Sequence, residues 1–171
     1  MSIPNYQDAA NTANGEVLRV GADEWRKIYN PNAALTVGYV YVITSKVDAT
    51  VTASPIFYRI PATGATLGTA IAEIGVAETA IAQYGHGFLK TKGKVEAYVN
   101  GTSFDVAYGD TLALADGTNN FVRCISATAG VSVQPTITAS AVALEAVTAD
   151  ANTLVSVILL GGQRGVADAT H

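Results

Sequence analysis

The stretch that decides the fold runs over Lys94–Val106 and reads KVEAYVNGTSFDV. Apolar and polar residues alternate on both sides of the pair Asn100-Gly101. Alternation with a period of two indicates a half-buried strand, and Asn-Gly between two such runs favours a hairpin with a two-residue type I′ turn. We therefore predict a β-hairpin here. The same register sets Glu96 opposite Asp105, a mild repulsion that favours a second strand that ends early.

Strand patterns continue on both sides of this stretch. The segment Val37–Thr44 carries apolar and aromatic residues on both faces, so both should be covered, by a core or by another subunit. Further strands are expected at 16–20, 56–60, 71–77, 87–91, 111–114, 121–126, 136–146 and 154–160. Strands this short, separated by Gly, Asn and Asp, indicate an all-β fold, either a small β-barrel or a sandwich of antiparallel strands.

Residues 17–171 form a single predicted β domain that contains an internal echo. Gly75-Val76-Ala77-Glu78 resembles Val142-Ala143-Leu144-Glu145, and each is followed by alanines, a turn and an apolar strand. If the echo is real, the domain contains two similar strand–turn–strand halves, as a pseudo-symmetric barrel requires.

The N-terminal part differs from this pattern. Residues 1–16 are polar and show no period, so we expect an extended arm, either a floppy terminus or a segment that orders on a neighbouring subunit. The best helix candidate follows, because Trp25, Ile28 and Tyr29 stand at i, i+3 and i+4, and Asp23 is placed to cap the first turn. A loop pinned by Trp25 is the alternative.

The composition favours assembly into something larger. Of the 171 residues, 49% are hydrophobic and 14% are charged, against about 25% charged in a typical soluble domain. So few charges give little electrostatic defence against association. The net charge of −4 and the scattered basic residues give little from which to build a nucleic-acid site. Lys90, Lys92 and Lys94 would share one face of a strand, which we interpret as solvated.

No segment predicts passage through a membrane. No apolar run approaches the roughly 20 residues of a membrane span, and residues 1–12 lack the basic and apolar regions of a signal peptide. We expect a protein that is made and used without crossing a membrane.

The sequence also offers no recognisable catalytic or metal-binding pattern. His86 and His171 have no ligand spacing around them, and Cys124 lies in a strand-like run that predicts a core position. Neither a Gly-x-Ser-x-Gly elbow nor a phosphate loop is present. We therefore expect no enzymatic activity, no cofactor and no metal.

A longer pattern runs through the C-terminal half of the chain. Its parts are Gly75-Val76-Ala77, Tyr84-Gly85-x-Gly87, Thr91-x-Gly93-x-Val95-x-Ala97-x-Val99-x-Gly101, Val106-Ala107-x-Gly109-Asp110-x-Leu112, Asp116-Gly117, Val142-Ala143-Leu144-Glu145-Ala146 and the strand 154–160. In this order and spacing, residues 75–162 resemble the small decoration, or cement, proteins on the capsids of tailed bacteriophages. The resemblance implies a β-barrel-like fold, no enzymatic activity, the major capsid protein as partner, and often trimers near capsid three-fold positions.

The resulting hypothesis is a structural virion protein on the outer capsid surface, made in the host cytoplasm, that stabilises contacts between major capsid protein subunits. A homo-oligomer is expected, with a trimer favoured. The candidate contact residues combine the arm with the aromatic positions, and they are Ile3, Pro4, Tyr6, Trp25, Tyr39, Tyr41 and Phe57. Two alternatives stay open: a structural protein of a phage tail, fibre or baseplate, and a carbohydrate-binding β-sandwich module.

Overall fold

The computed structural model describes residues 17–30, 33–44, 57–59, 71–102, 105–114, 119–123, 139–148, 152–161 and 163–165. Within these residues every regular element is a strand. In chain order the strands are β1 (Val17–Val20), β2 (Asp23–Tyr29), β3 (Val40–Thr44), β4 (Phe57–Arg59), β5 (Ile71–Val76), β6 (His86–Asn100), β7 (Thr111–Leu114), β8 (Phe121–Arg123), β9 (Ala141–Ala143), β10 (Asn152–Leu160) and β11 (Gln163–Gly165). The predicted all-β fold is confirmed over this part of the chain.

The strands close into two rings that share one member. The first ring runs β2–β4–β3–β5–β6 and closes through a β2–β6 pairing. The second runs β6–β10–β9–β7–β8 and closes through a β6–β8 pairing. We call them the first and second barrels. Because their strands are paired on both sides, the rings leave few open edges for uncontrolled strand addition.

The shared strand β6 is 15 residues long and changes partner near its middle. Its first part, up to Lys92, pairs with β2, and its second part, from Lys92 onward, pairs with β10. At the change, Glu24 is opposite Lys92 whereas Trp25 is opposite Lys90, so Thr91 is an extra residue on β6. Such a bulge bends a strand and increases its twist, which lets one strand serve two barrels.

Each barrel is filled by its own apolar cluster. The first-barrel cluster contains Ile28, Leu35, Tyr41, Ile43, Ala77, Ile81 and Leu89. The larger cluster holds the inward residues of β6 and β10, with residues of β7, β8 and β9, and extends to three side chains of β3 and β5, namely Val40, Ile74 and Val76. Apolar residues on both faces of β3 are therefore explained within the chain, because Tyr41 and Val40 belong to different clusters.

The two barrels repeat the same pairing pattern. In the first, an isolated bridge joins Leu35 to Ile81; in the second, one joins Val106 to Val147. Each barrel also has a hydrogen bond of 2.8 Å from a glycine N–H to an alanine carbonyl. In the first barrel Gly38 donates to Ala77, and in the second Gly109 donates to Ala143. The parallel pairs are also equivalent, since β4 joins the end of β2 as β8 joins the end of β6.

This repeat aligns Val76-Ala77 with Val142-Ala143, because Val40 pairs with Val76 and Thr111 pairs with Val142. The echo seen in the sequence pairs Val142 with Gly75, so it is displaced by one residue from the structural equivalence.

The predicted helix at 23–29 is wrong. The segment is strand β2, paired with β1 on one side and with β6 on the other. Its burial follows a period of two, with Asp23, Trp25 and Lys27 buried. The i, i+3, i+4 spacing of Trp25, Ile28 and Tyr29 arises because Ile28 faces the first-barrel cluster while Trp25 packs with Phe88 on the other side.

The predicted hairpin is also wrong. Val95 pairs with Val157 on β10, and Val106 forms its bridge with Val147. Asn100 ends β6 instead, because its side-chain Oδ1 accepts the N–H of Thr102 at 2.8 Å in a local turn. Gly101 is not in the left-handed region that a type I′ turn needs.

Pairing β6 with β10 also removes the repulsion that the hairpin register imposed. Glu96 faces Ser156 rather than Asp105, and the Ser156 hydroxyl donates to Glu96 Oε1 at 2.6 Å.

Candidate functional site

The predicted contact residues lie in different environments. Trp25 is 2% exposed and Tyr41 is 1% exposed, so both are core residues of this chain. Tyr39 is half-buried and packs against the first-barrel cluster. Ile3, Pro4 and Tyr6 lie outside the described residues, and Phe57 belongs to β4 without a described side chain. Of the described side chains in this set, Tyr39 alone reaches the surface.

Trp25 is held by a buried ionic cluster. Its indole N–H donates to Glu78 Oε2 at 2.6 Å, and Lys90 Nζ lies 4.8 Å from the centre of its ring. The same ammonium group is 3.1 Å from Asp23 Oδ2 and 3.6 Å from Glu78 Oε1. The predicted solvated face is therefore wrong for Lys90, whose side chain is 5% exposed, although Lys92 and Lys94 are exposed. The bulge at Thr91 separates them from Lys90.

This cluster is suited to holding β2 against β6. The Lys90 ammonium group on β6 contacts both the Asp23 carboxylate on β2 and the Glu78 carboxylate that follows β5, so it ties these segments together. A second pair joins β2 to β5, because Arg26 Nε lies 2.7 Å from Glu73 Oε2 and a second nitrogen contacts Glu73 Oε1 at 3.2 Å. Within the described residues, no group of three or more His, Cys, Asp or Glu side chains could hold a metal ion.

His86 is the first residue of β6. Its ring centre lies 5.1 Å from that of Tyr29 in a tilted arrangement. Burial lowers the pKa of His86 below its usual value, and the positive charge of Lys27 lowers it further. Burial and the neighbouring Lys27 both favour the neutral form of the His86 ring, and its packing against Tyr29 accounts for its position.

An exposed apolar surface lies on the second barrel. Along β10, Val155, Val157 and Leu159 point into the core, while Leu154, Ile158 and Leu160 are 42%, 39% and 37% exposed. Ile158 is opposite half-buried Val142 of β9, which places that side chain on the same face. We call this surface the β10 face and define it by Val142, Leu154, Ile158 and Leu160.

Charged groups border the β10 face on the β6 side. Lys94 is opposite Ile158 and Lys92 is opposite Leu160, and both lysines are exposed. An apolar patch with a charged rim is the usual arrangement of a protein–protein contact surface. The arrangement can therefore bury apolar area against another protein while its rim stays solvated.

Sequence reasoning identified β10 as a strand but missed its outward face. The signal was present, because Leu154, Ile158 and Leu160 alternate with Val155, Val157 and Leu159, so both faces of the strand are apolar. Only the pairing partners show which set points inward.

Within the described residues, no helix is long and apolar enough to cross a membrane.

Comparisons with known proteins found little. No family model and no curated protein matches the chain. Among solved structures, the N base of the head fiber protein gp8.5 of bacteriophage phi29 is similar with a TM-score of 0.48 and 12% identity, over 82% of this chain and 96% of that one. At this identity and TM-score the likeness carries no inference about function.

Proposed function

We propose that the chain is a structural virion protein of a tailed phage, which binds the outer surface of the capsid and stabilises contacts between major capsid protein subunits. The observation that carries the proposal is the β10 face, an apolar surface on a barrel that is already closed. The resemblance to capsid decoration proteins supports it, since residues 75–162 include β6 to β10, which are all strands of the second barrel.

The physical logic is that of a rigid body that loses little entropy on binding. Association has to overcome the lost translational and rotational freedom of each copy, so a preformed surface binds more tightly than one that must order. Two barrels joined through β6 provide such a surface. Ile158 and Leu160 are 39% and 37% exposed in the free chain, so covering the remaining area would contribute about 0.6–1.1 kcal/mol for each side chain.

Residues 1–14 extend the proposal, although they lie outside the described residues. We expect this arm to bind along the shell as an added strand or strap. Deleting residues 1–14 should weaken capsid attachment and leave the circular dichroism spectrum of the β domain unchanged. Unchanged capsid occupancy would contradict the role of the arm.

Self-association belongs to the same proposal, with a trimer expected. Sedimentation equilibrium of the purified chain gives the mass directly. A trimer supports binding at positions of three-fold symmetry, whereas a monomer restricts the proposal to single copies that load at fixed stoichiometry.

Co-sedimentation with capsids that lack the protein tests the function. Wild-type chain should saturate at a fixed number of copies per capsid. The double variant Ile158→Ser/Leu160→Ser should bind about tenfold more weakly, because it loses about 1–2 kcal/mol of apolar burial and a factor of ten corresponds to roughly 1.4 kcal/mol.

The matched control is Val20→Ser/Val37→Ser, which removes apolar side chains of similar exposure, 43% and 44%, outside the β10 face. It should bind like the wild type. If the wild-type chain does not load onto capsids, the capsid role is wrong and a tail, fibre or baseplate partner becomes the next candidate. If both double variants load equally well, the β10 face is not the contact surface.

A further inference from the structure

A pocket of about 320 Å³ lies where the two barrels meet. Among the described residues its lining consists of two tyrosines and four asparagines, namely Tyr39, Tyr98, Asn100, Asn119, Asn120 and Asn152. Its volume is at the lower end of the roughly 300–1,000 Å³ that small-molecule sites occupy. The pocket is distinct from the buried ionic cluster, which belongs to β2 and the first part of β6.

The backbone on which these side chains stand is fixed by contacts between the barrels. The carbonyl of Gly38, next to Tyr39, accepts the N–H of Tyr98 at 2.9 Å. The carbonyl of Asn119 accepts the N–H of Val40 at 2.8 Å. Asn100 and Asn152 are register partners at the paired ends of β6 and β10. A site built on strand ends in this way is preformed, which favours binding.

The asparagines offer both hydrogen-bond acceptors and hydrogen-bond donors to a ligand. Asn119 Oδ1 is buried and accepts no hydrogen bond from the described residues, a costly state that favours a donor supplied by a ligand. Asn100 Oδ1 accepts from Thr102, and Asn152 Oδ1 accepts from the side chain of Asn120. The amide nitrogens of Asn100 and Asn152 therefore remain to donate to a ligand.

The chemistry of the described lining residues favours a neutral ligand. None of the described lining residues is charged. A divalent cation such as Ca²⁺ is normally held by carboxylates, and a phosphate by Arg, Lys or a cluster of backbone N–H groups. The described lining offers amides and phenols instead, which suit groups that both donate and accept hydrogen bonds.

The two tyrosines restrict the ligand further. Their ring centres are 5.2 Å apart, and the rings are inclined by 73° in an edge-to-face pair. They therefore form an apolar wall rather than a parallel slot for a flat aromatic base. A ligand with an apolar C–H face and several hydroxyl groups matches both the wall and the amides.

We infer that this pocket binds a neutral monosaccharide, presented free or at the end of a surface glycan. The inference adds a ligand-binding activity to the capsid role and does not depend on it, because the β10 face alone is proposed to carry the capsid contact.

The test is a titration of the full chain with D-glucose, D-galactose, D-mannose and N-acetyl-D-glucosamine, followed by NMR chemical shifts. At least one sugar should bind saturably, with a dissociation constant in roughly the millimolar range. In Asn119→Leu that sugar should bind at least about tenfold more weakly, since one hydrogen bond to a buried amide is lost.

Asn119→Leu also separates binding from folding. Because Asn119 Oδ1 has no hydrogen-bond partner within the described part of the chain, its replacement by an apolar side chain of similar size should leave the unfolding midpoint unchanged or raise it. The matched control is Gln83→Leu, the same change from an amide to leucine at an exposed turn position. This control should bind the sugar like the wild type.

Two results would overturn the inference: no saturable binding of any of the four sugars, or equal affinity in Asn119→Leu and Gln83→Leu. Capsid co-sedimentation of Asn119→Leu keeps the two proposals apart. If Asn119→Leu loads onto capsids normally but no longer binds the sugar, the pocket is the sugar site and takes no part in capsid binding. If the wild-type chain binds the sugar but does not load onto capsids, only the capsid role is contradicted.

Discussion

At the scale of single residues, the buried ionic cluster shows what one charge does in this core. Lys90 contacts Asp23 and Glu78, and all three side chains are largely removed from water. A charge costs several kcal/mol to bury, and the cost is recovered only while its partners stay in place. Removing the cation therefore affects stability more than the loss of its contacts alone.

Lys90→Met should lower the free energy of unfolding by about 3–5 kcal/mol, because two carboxylates are left buried without a counter-charge. Urea unfolding followed by Trp25 fluorescence measures the change. Lys94→Met, four residues along the same strand and exposed, is the control and should change stability by less than about 0.5 kcal/mol. Equal effects of the two substitutions would show that Lys90 is not a buried ion partner.

A second residue, Asn30, closes one end of the first barrel. It is fully buried, and its side-chain Nδ2 lies within 3.2 Å of the carbonyls of Ala33, Ile81 and Ala82. In the second barrel the corresponding place is taken by Gly101, where a Cβ atom would stand 2.8 Å from the carbonyl of Thr148. The first barrel closes this end with the side-chain amide of Asn30, and the second barrel closes it by close approach of the backbone at Gly101.

Asn30→Asp should destabilise the protein by about 3–5 kcal/mol at pH 7, because a carboxylate replaces a donor that faces three carbonyl oxygens. The loss should shrink as the pH falls, since a protonated carboxyl can donate one hydrogen bond. The control is Asn100→Asp, where the oxygen already accepts from Thr102, so the cost should stay below about 1 kcal/mol. Urea unfolding of both variants at pH 7 and pH 4 decides between them.

At the scale of elements, β6 determines how the chain is organised. It is central to both rings, and its change of partner depends on Thr91 and Gly93. Gly93 has φ near +100°, and a Cβ atom there would clash with Asp23 Oδ1 and stand 3.3 Å from Asp23 Cα. A side chain at this position meets both a strained backbone and the partner of Lys90.

Gly93→Ala should cost clearly more stability than Gly109→Ala. Gly109 has a similar φ of +88° and nothing within 4 Å of an added Cβ, so it measures the backbone strain alone, about 1–2 kcal/mol. The additional clash at Gly93 should add about 1–3 kcal/mol. Thermal unfolding of the two variants gives the difference, and equal costs would contradict the close packing of Gly93 on Asp23.

The elements differ in how far the sequence predicts them. The strands at 71–77, 111–114 and 154–160 were predicted within two residues of β5, β7 and β10, because each is a compact apolar run between turn residues. Strand β2 was missed because Trp25 and Ile28 belong to different packing layers, and their combined spacing imitates a helix. The partner of β6 was missed because Asn100-Gly101 has the local chemistry of a hairpin turn, whereas β6 pairs with β10, which is distant along the chain.

The candidate surface was less predictable than the strands, for a related reason. Aromatic residues predict burial, but not whether the burial is within the chain or against a partner. Trp25 and Tyr41 lie in the core of this chain, whereas Tyr84 and Tyr108 are exposed and so are aliphatic side chains such as Leu154 and Ile158. The pocket combines side chains more than 100 residues apart in sequence, such as Tyr39 and Asn152, so no local pattern marks it.

At the scale of the whole molecule, two barrels that share a strand should behave as one cooperative unit. Neither ring closes without β6, and its residues belong to both clusters, Leu89 to one and Val95 to the other. Loss of either core therefore removes a partner that the other barrel needs. This predicts a single unfolding transition despite two distinct cores.

Leu35→Ala in the first barrel and Leu112→Ala in the second should each destabilise the protein by about 2–5 kcal/mol, since both side chains are at most 1% exposed. Scanning calorimetry should show one transition in each variant, shifted to lower temperature. Two separate transitions, with only one moved by each substitution, would contradict a shared cooperative unit.

The most direct measurement for the proposed capsid role is the temperature at which capsids lacking the protein fall apart, alone and after saturation with the chain. Saturation with the wild-type chain should raise that temperature, and Ile158→Ser/Leu160→Ser at the same concentration should leave it near that of bare capsids. Wild-type chain that saturates the capsid without raising its disruption temperature would contradict a stabilising role.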